Sequence, residues 1–469
     1  MPRGLFVPGD PVAAAGPMTG MMTSAKPRVL LISLFHPELV RGGAQQVCYE
    51  LFQGLRATGT VEPFLLASVD SSCPALFKSG ARITGFDGRE NEFVFLSRGY
   101  DYWWHTLAEP LLVEAFIEFL GVIRPDVVHF HHFLTLGIDL VSLTRRVLPD
   151  CRIVFTFHEF MAICAADGHM IRRTDGSLCR QASPVRCHQC FPDRGPEQFL
   201  MRRLWFMRHL SAVDVFTCPS RFMIDHYVNW GIPANKIVHI TNGQRSYAEA
   251  GAPPAVSARH NRFGFFGQMV DIKGVQIILR AVEMLRGEGF IDFRVEINGE
   301  NLRYATPAVR EEIEAFLAAE RARPAAERIV SHNGGYHVDQ LAQRMARVDW
   351  CIVPSIWWEI FGLVISEAWM FGRPVICSNV GGMARAGERR GGRPAFPDGG
   401  PGSAGAHDPP CLHGGWSVAA PVCRPARTAA AGADGGGIPA SLQPHGNGDS
   451  GTGCGRLIGA WATRKNRRG

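Results

Sequence analysis

Two glutamates flank the start of a helix in the second half of the chain. Glu359 lies in a loop after a buried apolar run, and Glu367 lies about one turn into a helix opened by Phe361, Gly362 and Leu363. The free N–H groups and the positive dipole end of a helix start suit a diphosphate. The carboxylates beside it can accept hydrogen bonds from sugar hydroxyls. The alternative is an exposed glutamate and a second one that favours the helix dipole.

A lysine at the start of another helix is a candidate cation. Lys273 follows a strand-like run, Phe263–Gly267, and precedes an amphipathic run, Val275–Arg286. A lysine at this turn can place a positive charge on a diphosphate. Gln268 lies in the same loop and is a candidate for contacts to that ligand. A solvated lysine at a helix start is the alternative interpretation.

A pair of glycines lies in the first strand-to-helix turn. Gly42 and Gly43 follow the run Val29–Phe35 and precede the amphipathic run Ala44–Arg56. Glycines at such a turn let the backbone approach a ligand closely. The spacing is not the Gly-x-Gly-x-x-Gly fingerprint of dinucleotide-binding folds, so a tight turn without a ligand is the alternative.

A histidine follows another buried strand. The run Ile153–Phe157 delivers His158 to the carboxyl end of a predicted strand, where ligands of such sheets bind. A structural histidine is the alternative at this position. His129, His131 and His132 follow the preceding predicted strand. For these three we weigh ordinary packing, lining of an acceptor site and a metal site.

An insertion rich in cysteine and arginine, residues 160–195, follows this histidine. Within it Cys187 and Cys190 have the spacing of a metal knuckle, whereas Cys164 and Cys179 lie at irregular intervals. Structural zinc, a loop-closing disulfide and free thiols are the alternatives for these four residues. Acceptor recognition, beside a membrane or in solution, is a hypothesis for the arginines. They are Arg172, Arg173, Arg180 and Arg186.

Short β-branched and aromatic runs alternate with amphipathic runs along most of the chain. This alternation is typical of a parallel sheet covered by helices, an α/β fold. An Ala/Pro/Gly-rich stretch, 247–260, is interpreted as a linker between two doubly wound, Rossmann-like domains, 26–246 and 261–384, that face each other across a cleft. The predicted strands are Val29–Phe35, Phe64–Ser68, Asp126–Phe130, Ile153–Phe157, Val213–Cys218, Ile237–Thr241, Phe263–Gly267, Phe293–Asn298, Ile329–His332, Trp350–Pro354 and Pro374–Ser378, and the predicted helices are Ala44–Arg56, Leu111–Ile123, Pro196–Leu210, Val275–Arg286, Pro307–Arg321, His337–Ala346 and Leu363–Phe371.

Both ends of the chain depart from this pattern. Residues 1–25 lack the apolar run of a signal peptide, and we interpret them as a disordered or spurious extension. Residues 385–469 form an aberrant, low-complexity Gly/Ala/Pro/Arg-rich tail that leaves the second domain incomplete. Codons for Pro394–Pro409, read one base later, can encode LHFRMGDPGALARTIH, which has a strand-like start, a turn and an amphipathic helix. We therefore expect a lost reading frame here, which resequencing tests.

The motifs resemble those of the retaining glycosyltransferases of family 4, which have the GT-B fold, over roughly Lys26–Ala384. The likeness rests on the Glu-x7-Glu motif, the Lys-Gly pair, the glycine-rich first loop and the histidine after the fourth predicted strand. The sequence departs from the family pattern at Gln268, where an arginine is usual, and at Glu159, where an aspartate is typical. With one expected cation missing, Lys273 must neutralise more of the diphosphate charge.

The resemblance implies transfer of a sugar from a nucleotide diphosphate donor to an acceptor hydroxyl, with retention at the anomeric carbon. Glu359 would then hold the sugar, Glu367 the ribose and Phe361–Leu363 the phosphates. Domain closure would bring Gly43 and His158 over the donor, and we expect His158 and Glu359 to be the catalytic residues. No cofactor or metal ion is required in this scheme, because helix dipoles and a lysine stabilise the leaving diphosphate.

Composition limits the other classes of function. The net charge of +6 is mild and no basic stripe is present, which disfavours a nucleic-acid partner. Thirteen cysteines, an odd number, fit a reducing compartment, so we expect a cytoplasmic protein, with contact to the inner membrane face left open. The expected partners are a nucleotide sugar and a carbohydrate or lipid-linked acceptor. The alternatives are an inactive product of a frameshifted gene and another sugar-nucleotide enzyme of the same fold.

Overall fold

The computed structural model describes residues 26–69, 81–97, 99–107, 109–245, 259–383 and 416–419. The strands are β1 Arg28–Ser33, β2 Glu62–Val69, β3 Ile83–Gly85, β4 Glu92–Leu96, β5 Tyr100–Asp101, β6 Thr106–Leu107, β7 Val127–Phe130, β8 Arg152–Thr156, β9 Val215–Cys218, β10 Ile237–His239, β11 Arg262–Phe266, β12 Arg294–Asn298, β13 Val330–His332, β14 Trp350–Val353, β15 Val375–Ser378 and β16 Trp416–Ala419. The helices are α1 Gly43–Thr58, α2 Pro110–Ile123, α3 Asp139–Val147, α4 Pro184–Cys190, α5 Pro196–Leu210, α6 Arg221–Trp230, α7 Val275–Gly287, α8 Pro307–Ala322, α9 Leu341–Met345 and α10 Leu363–Met370.

The first sheet has the strand order β10-β9-β8-β7-β1-β2-β4-β3. Its neighbours pair in parallel, except that β3 is antiparallel to β4. Leu30 and Ile32 pack on one face with Leu112 of α2, whereas Leu31 packs on the other face with Phe52 of α1. Successive residues of a strand point to opposite faces, so the apolar run of β1 needs helices on both sides.

The second sheet has the order β13-β12-β11-β14-β15-β16. The same two-sided packing occurs here. Phe265 packs with Ile278 of α7 and Phe316 of α8, and its neighbour Phe266 packs with Ile365 of α10 on the opposite face. The strands from β13 to β15 pair in parallel, and β16 joins the edge at β15 in the antiparallel direction. The mixed α/β fold with two mainly parallel, helix-covered sheets is confirmed.

The structure differs from the predicted elements in some places. The predicted helix His337–Ala346 is a 3-10 turn, Val338–Gln340, followed by the short helix α9. His337 lies outside the turn because its side chain caps it, accepting a hydrogen bond from the N–H of Asp339. The strand β16 lies in the stretch predicted as an aberrant tail. Elements that were not predicted include β3, β4, α3, α4 and α6.

Several predicted segments lie outside the described residues. These are the extension 1–25, most of the linker 247–260, and the tail 385–469 apart from β16. The predicted reading-frame change at Pro394–Pro409 also lies there. Among the described residues, every helix is too short or too polar to cross a bilayer.

Side chains from the second half of the chain contact residues of the first half. Trp358 Nε1 donates a hydrogen bond to the carbonyl oxygen of Cys179, at 2.9 Å. Ile360 is buried in the same apolar cluster as the core of the first sheet. In the other direction, Arg41 Nη1 donates to the carbonyl oxygen of Tyr336 at 2.8 Å. The loop between β14 and α10 therefore contacts both halves of the protein.

Candidate functional site

Two helix starts, one from each half, lie against each other. Helix α1 begins at Gly43, and helix α10 begins after the N-cap residue Gly362. The φ angle of Gly362 is 74°, in the left-handed region that favours glycine. A Cβ atom on Gly43 would lie 3.2 Å from Cδ1 of Leu363. The N-terminal ends of the two helices are therefore in contact, and helix starts carry free N–H groups and a positive dipole end that favour an anion.

A buried carboxylate is bound to a lysine beside these helix starts. Oε2 of Glu359 accepts hydrogen bonds from Lys273 Nζ at 2.7 Å and Trp357 Nε1 at 3.0 Å. It also accepts one from Ser355 Oγ at 3.1 Å. The Lys273 ammonium lies 5.1 Å from the centroid of the Trp357 ring, within reach of a cation–π interaction. The structure thus joins two residues that the sequence placed in separate motifs.

The charge state of Glu359 follows from these contacts. Burial acts to raise its pKa, but the charge of Lys273 and the hydrogen bonds from Lys273, Trp357 and Ser355 outweigh burial and lower the pKa below its ordinary value. Glu359 is therefore ionised at neutral pH, and its carboxylate can only accept hydrogen bonds. A fixed anionic acceptor of this kind can orient the hydroxyl groups of a sugar.

A tight backbone turn holds Lys273 in place. The residues Asp271–Lys273 form a 3-10 turn that ends at Gly274, which has a φ angle of 77°. A Cβ atom on Gly274 would lie 2.1 Å from the carbonyl oxygen of Pro354, too close for any side chain. Asp271 anchors the other side of the turn, because it accepts a hydrogen bond from the N–H of Thr306 at 2.8 Å. Lys273 is therefore set against the loop that carries Glu359.

Glu367 lies within α10, on the side that faces the first half. Gln244 Nε2 is 3.5 Å from its Oε1, at the limit of a hydrogen bond. Burial raises the pKa of Glu367 to about 7. This carboxyl therefore changes charge near neutral pH, unlike Glu359. It is suited to a ligand that supplies hydrogen-bond donors once it is ionised, such as a ribose with two hydroxyl groups.

His158 lies at the carboxyl end of β8, as predicted. Its Nε2 is 3.0 Å from Nδ1 of His131, and the two rings are stacked. Burial, and then the neighbouring His132 and His129, lower the pKa of His158 to about 3, so the ring is neutral. Nε2 of His131 is buried and has no hydrogen-bond partner among the described residues. These histidines therefore offer neutral donors and acceptors at the sheet edge.

The remaining candidates are Gln268 and the four cysteines of the insertion. Gln268 is exposed in the loop after β11. The cysteines of the insertion line one cavity as free thiols rather than a disulfide. In the described part of the chain, no three His, Cys, Asp or Glu side chains are arranged to hold a metal ion. The structure therefore gives no support to the zinc alternative. The four cysteines concerned are Cys164, Cys179, Cys187 and Cys190.

Several residues of this site are not predicted from the sequence. Trp357 and Ser355 bind Glu359, and Gln244 reaches Glu367. Arg41, next to the glycine pair, joins the first loop to the second sheet. The consecutive tryptophans Trp357 and Trp358, and the Asn242-Gly243 pair before Gln244, are sequence signals that could have identified these loops. The pairing of these residues with the glutamates depends on contacts between distant segments, which the sequence does not reveal.

Comparison with known families matches both halves of the chain. The model described as Glycosyltransferase Family 4 matches residues 41–244. The model described as Glycosyl transferases group 1 matches residues 260–398. The candidate site takes residues from both matched regions, since the glycine pair lies in the first and the two glutamates lie in the second.

Individual curated proteins resemble the chain at low sequence identity. The chain is 26% identical to a glycogen synthase of Mycobacterium tuberculosis (strain CDC 1551 / Oshkosh) over 376 residues, which cover 76% of this chain and 80% of that protein. It is 30% identical to a D-inositol 3-phosphate glycosyltransferase of Arthrobacter sp. (strain FB24) over 143 residues, covering 30% of this chain and 31% of the relative.

Solved structures share the fold. The sucrose-phosphate synthase of Thermosynechococcus elongatus superposes with a TM-score of 0.53 at 17% identity, covering 77% of this chain and 84% of that one. The N-terminal domain of the trehalose-6-phosphate phosphatase of Candida albicans gives a TM-score of 0.52 at 12% identity, covering 80% and 86%. With glycosyltransferase family models matched over both halves and the fold shared with a sucrose-phosphate synthase, the chain is a glycosyltransferase of the GT-B fold.

Proposed function

We propose that the protein transfers a sugar from a nucleoside diphosphate donor to an acceptor hydroxyl with retention at the anomeric carbon. The observation that carries this proposal is the meeting of the two helix starts, where Gly43 lies against Leu363. A diphosphate between them would be bound by N–H groups and by both helix dipoles. Beside it, Glu359 would hold the sugar and Glu367 the ribose.

The same arrangement supplies the chemistry of the leaving group. The bond from the anomeric carbon to the diphosphate breaks with negative charge developing on the diphosphate oxygens. Lys273 would stabilise this charge, helped by the helix starts at Gly43 and Leu363, so the proposal requires no metal ion. Lys273 is bound to Glu359 in this structure, and the sugar hydroxyls would share that carboxylate with it.

The acceptor side of the proposal rests on His158 at the carboxyl end of β8. Its pKa of about 3 keeps the ring neutral, so it can accept a hydrogen bond from a hydroxyl or donate one to the transferred sugar. We assign no carboxylate nucleophile. A glycogen synthase among the relatives favours a carbohydrate acceptor, and a lipid-linked acceptor is the second possibility. The free thiols of the described residues favour the cytoplasm.

Calorimetric titration with a panel of UDP-, GDP- and ADP-sugars in the presence of EDTA tests the proposal. We expect saturable binding of one donor, which Glu359→Ala abolishes. Glu314→Ala, an exposed glutamate on α8, is the matched control and leaves binding unchanged. NMR of the product then reports the anomeric configuration. Folded protein that binds none of the donors would favour an inactive product, and an inverted anomer would reject retention.

Gly43→Val tests the contact between the two helix starts. The new side chain would press on Leu363 Cδ1 and move the two helix starts apart, so we expect donor affinity to fall at least about tenfold. Titration calorimetry measures the loss. Gly54→Val is the matched control, because a Cβ atom on Gly54 of the same helix meets nothing within 4 Å. Equal donor affinities of the two variants would place the diphosphate elsewhere.

The pH dependence of donor binding tests the role of Glu367. Because its folded pKa is raised to about 7, the stability that this group contributes is present at low pH and is lost as the pH rises through about 7. Donor affinity should change with pH in the opposite direction, because the ribose hydroxyls donate hydrogen bonds to the ionised carboxylate. We expect affinity to increase roughly tenfold from about pH 6 to about pH 8. Glu359 and His158 have lowered pKa values and do not titrate in this range.

Glu367→Gln separates this effect from other sources of pH dependence. The amide oxygen keeps a hydrogen-bond acceptor near Gln244 but does not ionise. We expect the donor affinity of this variant to be flat between about pH 6 and about pH 8. A variant that keeps the full pH dependence of the natural protein would remove Glu367 from the donor site.

A further inference from the structure

A cavity in the insertion is not used by the proposed donor site. It has a volume of about 190 Å³ and lies among the segment that follows β8, the loop around Arg172, and α4. We call it the insertion cavity. Its described lining includes three arginines and four cysteines but no aspartate or glutamate. The arginines are Arg172, Arg180 and Arg186.

The arginines of the insertion cavity are poorly neutralised. Within the described residues, Arg180 and Arg186 have no carboxylate within 4.0 Å. Arg172 has one distant partner, Asp175 at 3.9 Å, and a hydrogen bond of 3.4 Å to Gln189. Arg180 and Arg186 are exposed and Arg172 is half-buried, so their three positive charges raise the electrostatic potential at the mouth of the cavity. An anion at the cavity would be attracted by this potential.

The insertion cavity adjoins the loop that carries Glu359. Cys179 lines the cavity, and its carbonyl oxygen accepts the hydrogen bond from Trp358 Nε1. Met170 also lines it, and the ring of the preceding His169 lies 6.1 Å from that of Trp357 in an edge-on contact. A group bound in the cavity is therefore one layer of side chains away from the proposed sugar position.

We infer that the insertion cavity binds a phosphate group carried by the acceptor. Guanidinium groups bind phosphate oxygens in pairs, and a dianion needs more than one cation, as Arg172, Arg180 and Arg186 provide. The acceptor hydroxyl would then point from the cavity towards the donor sugar. This inference rests on the proposed transferase function, because it assigns the cavity to the second substrate of that site.

The cysteines offer a competing source of negative charge. Four thiolates on a metal ion would also attract arginines, and the four cysteines do line this one cavity as free thiols. Among the described residues, however, no three His, Cys, Asp or Glu side chains are arranged to hold a metal ion. The arginines are therefore assigned to an external anion. Metal analysis of the purified protein tests this choice, and one equivalent of bound zinc would overturn the inference.

Titration of inorganic phosphate into the full-length protein tests the inference directly. Arg180→Gln combined with Arg186→Gln should weaken phosphate binding at least tenfold. The matched control, Arg124→Gln with Arg328→Gln, removes two exposed arginines elsewhere and should change it less than twofold. Circular dichroism and thermal melting confirm that each variant is folded. Equal phosphate affinities in both double variants would overturn the inference.

Lys273→Ala distinguishes the insertion cavity from the donor site. We expect it to weaken nucleotide-sugar binding while leaving phosphate binding in the cavity intact. Loss of phosphate binding in Lys273→Ala, with no loss in the arginine variant, would place the phosphate in the donor site and reject only the inference. If Lys273→Ala binds both the nucleotide sugar and phosphate as the natural protein does, the proposed donor site is rejected instead.

The source of the phosphate is distinguished by two further probes. Glucose 6-phosphate represents a soluble acceptor, and vesicles of phosphatidylglycerol represent a lipid headgroup. We expect one of the two to bind and to lose affinity at least tenfold in the arginine double variant, whereas glucose and phosphatidylcholine vesicles do not bind. Binding of glucose equal to that of glucose 6-phosphate would overturn a phosphate subsite.

Discussion

Lys273→Met is expected to lower kcat/KM on the order of 100-fold to 1,000-fold, the cost of removing a group that stabilises a developing oxyanion. Methionine keeps the length of the side chain and its apolar contact with Trp357 but removes the charge. Steady-state kinetics and calorimetric titration with the identified donor measure the effect. We expect kcat to fall more than donor affinity, because charge on the diphosphate increases as the bond breaks.

The same substitution should also affect stability. It leaves Glu359 buried with two neutral hydrogen-bond donors and no counter-ion, which costs about 1–3 kcal/mol for a buried polar group that loses its partner. Lys26→Met, at an exposed position, is the control for loss of one lysine. Retention of kcat in folded Lys273→Met would mean that Lys273 serves only to hold Glu359.

Gly274→Ala adds a single methyl group and should cause a large loss of stability. The φ angle of 77° already disfavours alanine, and the added Cβ would lie 2.1 Å from the carbonyl oxygen of Pro354. The backbone of the turn and the backbone at the end of the strand must therefore move apart. We expect a loss of at least about 3 kcal/mol in the free energy of unfolding, measured by chemical denaturation.

Gly289→Ala is the control that separates backbone strain from the clash. Gly289 has a similar φ angle of 84°, but a Cβ atom there meets nothing within 4 Å. It should cost only about 1 kcal/mol. Since the turn at Gly274 also positions Lys273, the Gly274→Ala variant should lose donor binding even below its melting temperature. Equal stabilities of the two variants would mean that the turn is free to move.

The sequence predicts most of the elements that position the site. Helix α5 has the predicted bounds because Pro196 occupies the first turn of an amphipathic run. Helix α6 was missed although Ser220 caps it, accepting a hydrogen bond from the N–H of Met223, and Gly231 follows its end. These signals are local, so the helix is predictable from its caps.

The candidate site is predictable only in part. Each motif was visible in its own segment, because a helix start or a strand end has a local sequence pattern. Lys273 and Glu359, which form an ion pair, are 86 positions apart in the chain. Gly43 and Leu363, which lie against each other, begin helices that cover different sheets. Such contacts depend on how the sheets are placed, which periodicity does not specify. The sequence likewise does not predict the insertion cavity, although its arginines were candidates for acceptor recognition.

The burial of Ile360 in the core of the first sheet has a consequence for engineering. A chimera that exchanges the second half of this protein for that of a relative would leave a void where Ile360 packs, and would remove the Trp358 donor that binds Cys179. A working exchange must therefore transplant the loop together with the surface that receives it. The two halves of this protein therefore fit each other as a matched pair, and neither is an interchangeable unit.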